Sequence, residues 1–311
     1  MIADEPEQAD APTRPGRPGR GGPTRFRVVG VEDGLTLRQL LAKRLGVGQA
    51  IAAELVRAGG VYVGQVRMCI PTLRVSEGER VTVYRDAAEV RPIAPDTLRV
   101  VHRDDACVIV DKPHGVPAAA TRSATRGTLA AALVQRLAGE RVARPYVGLI
   151  HALPPAAAGL ALFTVRGQST ESFFKAFAEL AMRRRYLVRV SGSLAARRTC
   201  DLGLVSTPSG GWRAARDGDR EPVAATSEWT PIAALADETL VEVTLTGAAT
   251  AGAEAVRLHA SALALGVVGD GETLCLLASH LEFVHPRTGL TVSASAERPA
   301  WARPEHAGAA G

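Results

Sequence analysis

A polar stretch with two prolines, AAEVRPIAPDTL at residues 87–98, divides the chain into two parts with different hydrophobic patterns. Stretches of this composition are typical of linkers. A length of 311 residues also suits two domains, because a domain usually takes roughly 100–200 residues. We therefore predict a small domain at 34–86, a linker at 87–98 and a larger domain at 99–300.

Residues 1–24 precede the first regular hydrophobic pattern and are rich in proline, glycine and charge. Such a composition cannot bury enough apolar surface to offset the entropy lost on ordering. The segment is therefore predicted to be a disordered, solvated tail. Its arginines could also contact nucleic acid, and that alternative stays open.

The 34–86 segment shows two helical patterns followed by alternating patterns. Thr36 is suited to cap a helix whose leucines recur at helical spacing, and Gly46 ends that helix. A second helical pattern holds Ile51 and stops at Gly59 and Gly60. The stretch VYVGQVRM then alternates as a hairpin does, and RVSEGERVTVY ends in a further strand. The predicted order is helix, helix, hairpin, strand.

The 99–300 segment mixes short strand patterns, such as LRVVHRD and CVIVDKP, with helical patterns at 128–138 and 169–182. Its later half is rich in strand patterns. This mixture favours an α+β domain with a large, mostly antiparallel sheet.

The composition argues against several classes of protein. Every apolar run is shorter than about 18 residues and the N-terminus lacks the features of a signal peptide, so we expect a cytoplasmic protein with no membrane partner. The four cysteines have no C-x-x-C spacing, which predicts neither a metal site nor a disulfide framework. A net charge of +5 permits an anionic partner without proving one.

Three segments of the first part, RQLLAKRL, ELVRAGGVYVGQ and VSEGERVTVY, resemble the RNA-binding domain first seen in ribosomal protein S-four. In such a domain basic side chains contact the phosphates of RNA. The resemblance implies that this surface consists of Arg38, Lys43, Arg44, Arg57 and Arg67. The alternative is that these side chains form only a solvated face.

Five segments of the second part, taken in order, resemble the RluA-type pseudouridine synthases. They are VIVDKPHGVPAAA at 108–120, HALPPAAAGL at 151–160, RRRYLVRVSG at 183–192, TGAATAGAEAVRLHASALALGVVGD at 246–270, and LASHLEFVHPRTGL at 277–290. The family pattern for the second segment is H-R-L-D-x-x-T-S-G-L. Here Pro154 stands at the aspartate position and Ala152 at the arginine position.

The resemblance implies a fold with a central cleft, in which a flipped-out uridine of RNA is converted to pseudouridine without a metal or a cofactor. In the family an aspartate performs the reaction, a tyrosine stacks on the base, and an arginine pairs with the aspartate. Tyr186 and Arg257 match the tyrosine and the arginine, and His151 matches the start of the motif. These three residues are the predicted remnant pocket. Asp270 matches a structural aspartate.

The absence of the aspartate leaves three interpretations open. Because proline has no ionisable group, the first is a catalytically impaired protein that still binds ribosomal or other structured RNA. The second is an active pseudouridine synthase with a displaced nucleophile, although Asp104 and Asp105 are predicted to be solvated and Asp111 structural. The third is a protein-interaction scaffold that does not bind RNA. Neither the RNA target nor the oligomeric state follows from the sequence.

Overall fold

The computed structural model describes residues 23–85, 93–121, 125–140, 142, 145–151, 153–178, 182–207, 211–248, 251–269 and 273–303. The chain divides into two compact units, Met1–Ala88 and Glu89–Gly311. Most of the predicted tail, part of the predicted linker, Ala152 and Asp270 lie outside the described residues.

The described part of the first unit holds two helices and a four-stranded antiparallel sheet. The helices are α1 (Leu37–Leu45) and α2 (Gln49–Arg57). The strands are β1 (Thr24–Arg27), β2 (Val61–Val63), β3 (Val66–Met68) and β4 (Arg80–Val83). The sheet order is β1-β4-β2-β3. The helix, helix, hairpin, strand order agrees with the sequence pattern, and β1 precedes it.

Helix α1 begins and ends at the predicted residues. The N–H of Thr36 donates to Oε1 of Gln39 at 2.9 Å, as part of a capping box. Gly46 follows the helix with a φ of 65°, a conformation that glycine adopts at little cost. The buried face consists of the predicted leucines, Leu37, Leu40, Leu41 and Leu45.

The structure departs from two of the predicted boundaries. Thr24–Arg27 is a strand that pairs with β4, so residues 1–24 are not all tail. Ile93 and Leu98, which the sequence places in the linker, pack into the core of the second unit, and Leu98 is buried. A short strand and a short turn carry too few residues for a periodic signal, and their partners lie far away along the chain.

The second unit contains helices and strands in alternation, with strands dominating its later half. The described helices are α3 (Leu129–Gly139), α4 (Thr170–Ala178) and α5 (Gly252–Ala262). The strands are β5 (Arg99–Arg103), β6 (Cys107–Lys112), β7 (Gly148–Leu149), β8 (Ala158–Thr164), β9 (Met182–Ser191), β10 (Arg198–Asp201), β11 (Leu204–Ser206), β12 (Trp212–Ala214), β13 (Ala225–Ala234), β14 (Glu238–Gly247), β15 (Gly266–Val267), β16 (Leu276–Val284) and β17 (Thr291–Ser295). None of the helices in the described part of the chain has the length and apolarity that a membrane crossing needs.

One large sheet organises the second unit. Its strand order is β10-β13-β14-β9-β16-β8-β6-β5, with β7, β15 and β17 paired to β8, β9 and β16. The described pairings are antiparallel except for β8 with β16, where Leu277 pairs with Ala158 in parallel. This confirms the predicted α+β fold with a mostly antiparallel sheet.

The parallel pair of strands explains the glycine in the 151–160 motif. Gly159 lies opposite Ala278, and a Cβ on Gly159 would come within 2.4 Å of the carbonyl oxygen of Ala278. The φ of Gly159 is also +109°, which L residues with a side chain rarely adopt. A glycine is therefore required for β8 and β16 to meet here.

Candidate active site

The loop at 153–157 corresponds to the centre of the degenerate motif and directly precedes β8. Leu153 and Ala157 belong to the same buried hydrophobic cluster as Tyr186. Between them, Pro154 is partly exposed and Pro155 is exposed. The N–H of Ala157 donates to the carbonyl oxygen of Pro154 at 3.1 Å and closes a turn. Pro154 therefore lies in a turn at the border of the cluster that contains Tyr186.

The segment after β6 holds this loop from one side. The ammonium of Lys112 is buried and donates to the carbonyl oxygens of Pro113 and Val116 at 2.9 Å each, and to that of Pro155 at 3.3 Å. The N–H of Gly115 donates to the same Pro155 oxygen at 2.8 Å. Burial lowers the pKa of Lys112 to about 7. The D-K-P-x-G segment thus fixes the path of the loop.

Two further hydrogen bonds hold the middle of the loop. The carbonyl oxygen of Ala156 accepts from the N–H of Leu274 at 2.7 Å and lies 2.9 Å from Nδ1 of His114. Since an oxygen of this kind only accepts, Nδ1 of His114 is the donor. The loop backbone is therefore tied to two separate segments of the chain, which restricts its movement.

Strand β9 places a buried arginine beside Tyr186. Side chains two residues apart on a strand share a face, and Arg184 and Tyr186 are only 3% and 1% exposed. Arg184 also donates to the carbonyl oxygen of Gly247. Burial lowers the pKa of Arg184, and the neighbouring Tyr186 opposes that shift. Burial raises the pKa of Tyr186, and the charge of Arg184 opposes that shift.

His151 is buried near the same guanidinium. Its Nε2 lies 3.1 Å from the carbonyl oxygen of Leu160, to which it donates. Burial lowers the pKa of His151 to about 3, and the charge of Arg184 lowers it further. A neutral imidazole with so low a pKa is a weak base. The group can orient a ligand, but it is poorly suited to remove a proton.

Arg257, the predicted partner of the missing aspartate, lies on the exposed side of α5. Its Nη1 contacts the two carboxylate oxygens of Glu254 at 3.0 and 3.1 Å, and its side chain is 46% exposed. The cation that the structure places beside Tyr186 is Arg184 rather than Arg257. The alternation of side chains in RRRY could have identified Arg184, because Arg184 and Tyr186 are two residues apart.

The carboxylates considered as displaced nucleophiles are engaged in the β5–β6 hairpin. Asp104 is not simply solvated, because its Oδ1 accepts from the N–H groups of Ala106 and Cys107 at 2.7 and 2.8 Å. Asp111 lies 3.6 Å from Arg99 and is mostly buried. Burial raises the pKa of Asp111, although the charge of Arg99 opposes that shift.

In the first unit, two of the predicted RNA-contacting arginines are bound to their own unit. Arg44 forms an ion pair of 2.7 Å with the buried carboxylate of Glu32 and lies over the ring of Phe26. Arg67 donates to the hydroxyl of Tyr62 and lies over its ring. The charge of Arg44 is therefore compensated within the protein.

The remaining predicted RNA contacts are more accessible. Arg57 lies 3.6 Å from the partly exposed Glu54, a separation typical of a weak surface pair. Arg38 and Lys43 extend from α1 and are exposed, with no ion pair to any residue that the structure describes. Of the five predicted residues, these two are best placed to meet a phosphate.

The chain is similar in sequence to two pseudouridine synthases. It is 25% identical to an uncharacterized RNA pseudouridine synthase of Aquifex aeolicus (strain VF5) over 310 residues, covering 88% of this chain and 93% of the relative. It is also 25% identical to ribosomal large subunit pseudouridine synthase D of Zymomonas mobilis over 225 residues, covering 65% of this chain and 69% of the relative. No protein-family model matches the chain.

Two solved structures share the fold. Human RNA pseudouridylate synthase domain containing 1 aligns with a TM-score of 0.51 and 19% identity, covering 70% of this chain and 89% of that one. Human RNA pseudouridylate synthase domain containing 4 aligns with a TM-score of 0.51 and 15% identity, covering 66% and 90%. The larger unit therefore has the fold of a pseudouridine synthase. In sequence, the chain is similar to the two RNA pseudouridine synthases named above, and the motif comparison predicts that Pro154 stands at the aspartate position.

Proposed function

We propose that this protein binds structured RNA, such as ribosomal RNA, and does not convert uridine to pseudouridine. The observation that carries the proposal is Pro154, which stands at the aspartate position within a turn bordering the cluster of Tyr186. Proline has neither an ionisable group nor a nucleophilic atom. The stretch HALPPAAAGLALFTV at 151–165 contains neither aspartate nor glutamate.

The neighbouring groups do not supply the missing chemistry. Burial lowers the pKa of His151, as the charge of Arg184 does, so the imidazole is a weak base. Burial raises the pKa of Tyr186, so its phenol stays protonated at neutral pH. A guanidinium stays charged and carries no lone pair for attack. This set can hold a base or a phosphate, but it cannot open a glycosidic bond.

Two observations support RNA binding. The names of both relatives assign them to RNA or to the ribosomal large subunit. In the first unit, Arg38 and Lys43 present exposed charges on α1, where phosphates can reach them. The S-four-like assignment of residues 34–86 remains part of this proposal.

The chemistry is tested with the full-length protein and ribosomal RNA transcripts that carry no modification. Pseudouridine is detected by carbodiimide labelling and primer extension, and synthase D of Zymomonas mobilis serves as the active control. We expect no product from this protein at concentrations where the control reacts to completion. Robust product would support the alternative of a displaced nucleophile, and product lost in the Asp111→Asn variant would identify that nucleophile.

The binding is tested by fluorescence anisotropy with labelled ribosomal RNA fragments over a range of salt concentrations. The double variant Arg38→Gln/Lys43→Gln is compared with Lys175→Gln/Arg197→Gln, which removes the same charge from exposed, ion-paired side chains of the second unit. The first variant should bind more weakly and show a shallower salt dependence, because fewer counterions are released. Absence of RNA binding by the unmodified protein would favour the protein-interaction scaffold.

A further inference from the structure

Three side chains with metal-binding atoms converge where β5 turns into β6. The donor atoms of His102, Asp104 and Cys107 all lie within 4.8 Å of one another. Oδ2 of Asp104 is 3.1 Å from Nε2 of His102 and 3.5 Å from Sγ of Cys107. We propose that these three residues bind a divalent transition metal ion of the zinc type.

The separations suit tetrahedral coordination. Zinc lies about 2.0–2.2 Å from nitrogen and oxygen ligands and about 2.3 Å from sulfur, so neighbouring ligands of a tetrahedral ion are about 3.3–3.6 Å apart. The two measured separations, 3.1 and 3.5 Å, are within a few tenths of an ångström of that range. A small shift of His102, whose side chain is 31% exposed, is enough to admit the ion.

The carboxylate of Asp104 is fixed before any ion binds. Its Oδ1 accepts two backbone hydrogen bonds, from Ala106 and Cys107, which leaves Oδ2 directed at the cluster. Ligands whose orientation is set by neighbouring hydrogen bonds bind metal more tightly than free ones. The sequence H-x-D-x-x-C therefore forms a small preorganised loop.

His285 supports the cluster and is not one of its ligands. Its Nδ1 accepts from the N–H groups of Arg287 and Thr288 at 3.2 Å each, so the ring proton is on Nε2. That Nε2 lies 3.3 Å from Oδ2 of Asp104, in electrostatic contact with the carboxylate but without the geometry of a hydrogen bond. An imidazole beside a ligating carboxylate is a common outer partner of a metal site.

The cluster is open to solvent on one side. Asp104 also lines a cavity of about 510 Å³, together with Arg103, Tyr146, Arg166 and Gln168. His102 and Asp104 are each about a third exposed, so an ion can reach them from solvent. Three protein ligands leave a fourth position for water or a small anion, as in zinc sites that bind ligands. Binding would release the thiol proton of Cys107 to solvent. The resulting set of imidazole, carboxylate and thiolate favours zinc or cobalt over magnesium or calcium.

The test uses the untagged, full-length protein, stripped of metal with a chelator and kept reduced. Cobalt(II) is titrated in, and the thiolate-to-cobalt charge-transfer band is recorded; zinc is then added as a competitor. We expect one equivalent of cobalt to bind with this band, and zinc to displace it. Metal binding should also raise the Tm of the protein.

Two ligand variants are compared with matched controls. Cys107→Ala should lose the charge-transfer band, and His102→Ala should weaken binding at least about tenfold. Cys200→Ala removes another buried thiol and His280→Ala another partly buried imidazole, and both should bind as the unmodified protein does. Circular dichroism establishes that each variant is folded, and His102 is exposed enough to be replaced without disturbing the core.

The proposal fails if no stoichiometric cobalt band forms, or if the band persists in Cys107→Ala. It also fails if folded His102→Ala binds as tightly as the unmodified protein. In each of these cases the cluster is only a hydrogen-bonded network around Asp104.

Discussion

The buried ammonium of Lys112 donates to the carbonyl oxygen of Pro155 at 3.3 Å, and so connects the end of β6 to the loop at 153–157. Two more carbonyl oxygens, from Pro113 and Val116, share the same ammonium. Lys112 therefore binds backbone oxygens of two segments, the one that follows β6 and the loop that precedes β8.

The Lys112→Met variant should unfold more easily. Methionine is nearly as long as lysine, but the carbonyl oxygens of Pro113 and Val116 lose this donor and that of Pro155 keeps only the N–H of Gly115. This loss should lower the free energy of unfolding by about 1–3 kcal/mol. Urea unfolding measures the loss.

The pKa of Lys112 falls from 10.5 to about 7 on folding, so the unfolded chain binds more protons between these values. The stability of the unmodified protein should therefore rise with pH in that window relative to the variant.

The Gly159→Ala variant should be strongly destabilised. Its Cβ would come within 2.4 Å of the backbone of Ala278, at a φ of +109°. Steric clash and backbone strain together should cost at least about 2 kcal/mol. Gly139 is the matched control, because nothing lies within 4 Å of its added Cβ at the end of α3. Gly139→Ala should stabilise the protein by about 0.5–1 kcal/mol, and equal effects of the two variants would contradict this account.

The Arg44→Gln variant should lower the free energy of unfolding more than the Arg57→Gln variant does. Burial raises the pKa of Glu32, but hydrogen bonds from Arg44 and Val29 outweigh burial and lower it overall. Removing Arg44 leaves a buried carboxylate with less compensation, at a cost of about 1–3 kcal/mol. Arg57→Gln, which breaks a surface pair with Glu54, should cost less than about 0.5 kcal/mol. Chemical unfolding of the two variants decides the point.

The His151→Gln variant should resist acid better than the unmodified protein. The pKa of His151 falls from 6.5 to about 3 on folding. Below pH 6.5 the unfolded chain therefore takes up a proton that the folded chain does not. The free energy of unfolding consequently decreases as the pH is lowered. The contribution approaches about 1.4 kcal/mol per pH unit within the window. Urea unfolding at pH 7 and pH 5 should show a smaller loss for the variant, and parallel losses would exclude a neutral, buried His151.

Restoring the aspartate should not restore full activity. In Pro154→Asp the carboxylate returns, but Ala157 and Ala158 remain apolar where the family has T-S, and Ala152 stands where it has arginine. Effects of groups in one site are not additive, so one restored member gives only part of the rate. Carbodiimide mapping of ribosomal RNA measures the product, and Pro155→Asp is the control for a misplaced carboxylate. Activity of Pro154→Asp equal to that of an active relative would show that the rest of the site is intact.

The large features of the fold follow from local patterns in the sequence. Helical spacing of leucines in α1 and alternation in VYVGQVRM depend only on near neighbours, and both elements form as expected. The strand β1 was missed because four residues give little periodicity, and its stability comes from pairing with the distant β4. Long-range pairing of this kind cannot be inferred from local spacing.

The site was less predictable than the fold. Motif matching assigns the pairing role to Arg257, which stays a prediction, and the structure adds that Arg184 shares a buried face of β9 with Tyr186. Strand alternation alone could have indicated Arg184. The cluster around Asp104 was missed for another reason. The spacing between cysteines carries no signal for it, because His102 and Cys107 flank an aspartate in a turn and His285 approaches from a distant segment.

The position of β16 in the sheet affects how the second unit folds during its synthesis. This strand comes late in the chain but lies between β8 and β9, where it pairs with both. While a ribosome is still synthesising the chain, β8 and β9 therefore have unpaired edges until Leu276–Val284 has left the exit tunnel. Unpaired edges of apolar strands are sites of aggregation and chaperone binding. We therefore expect a chain that ends before β16 to leave the edges of β8 and β9 unpaired, and such fragments to be degraded by proteases.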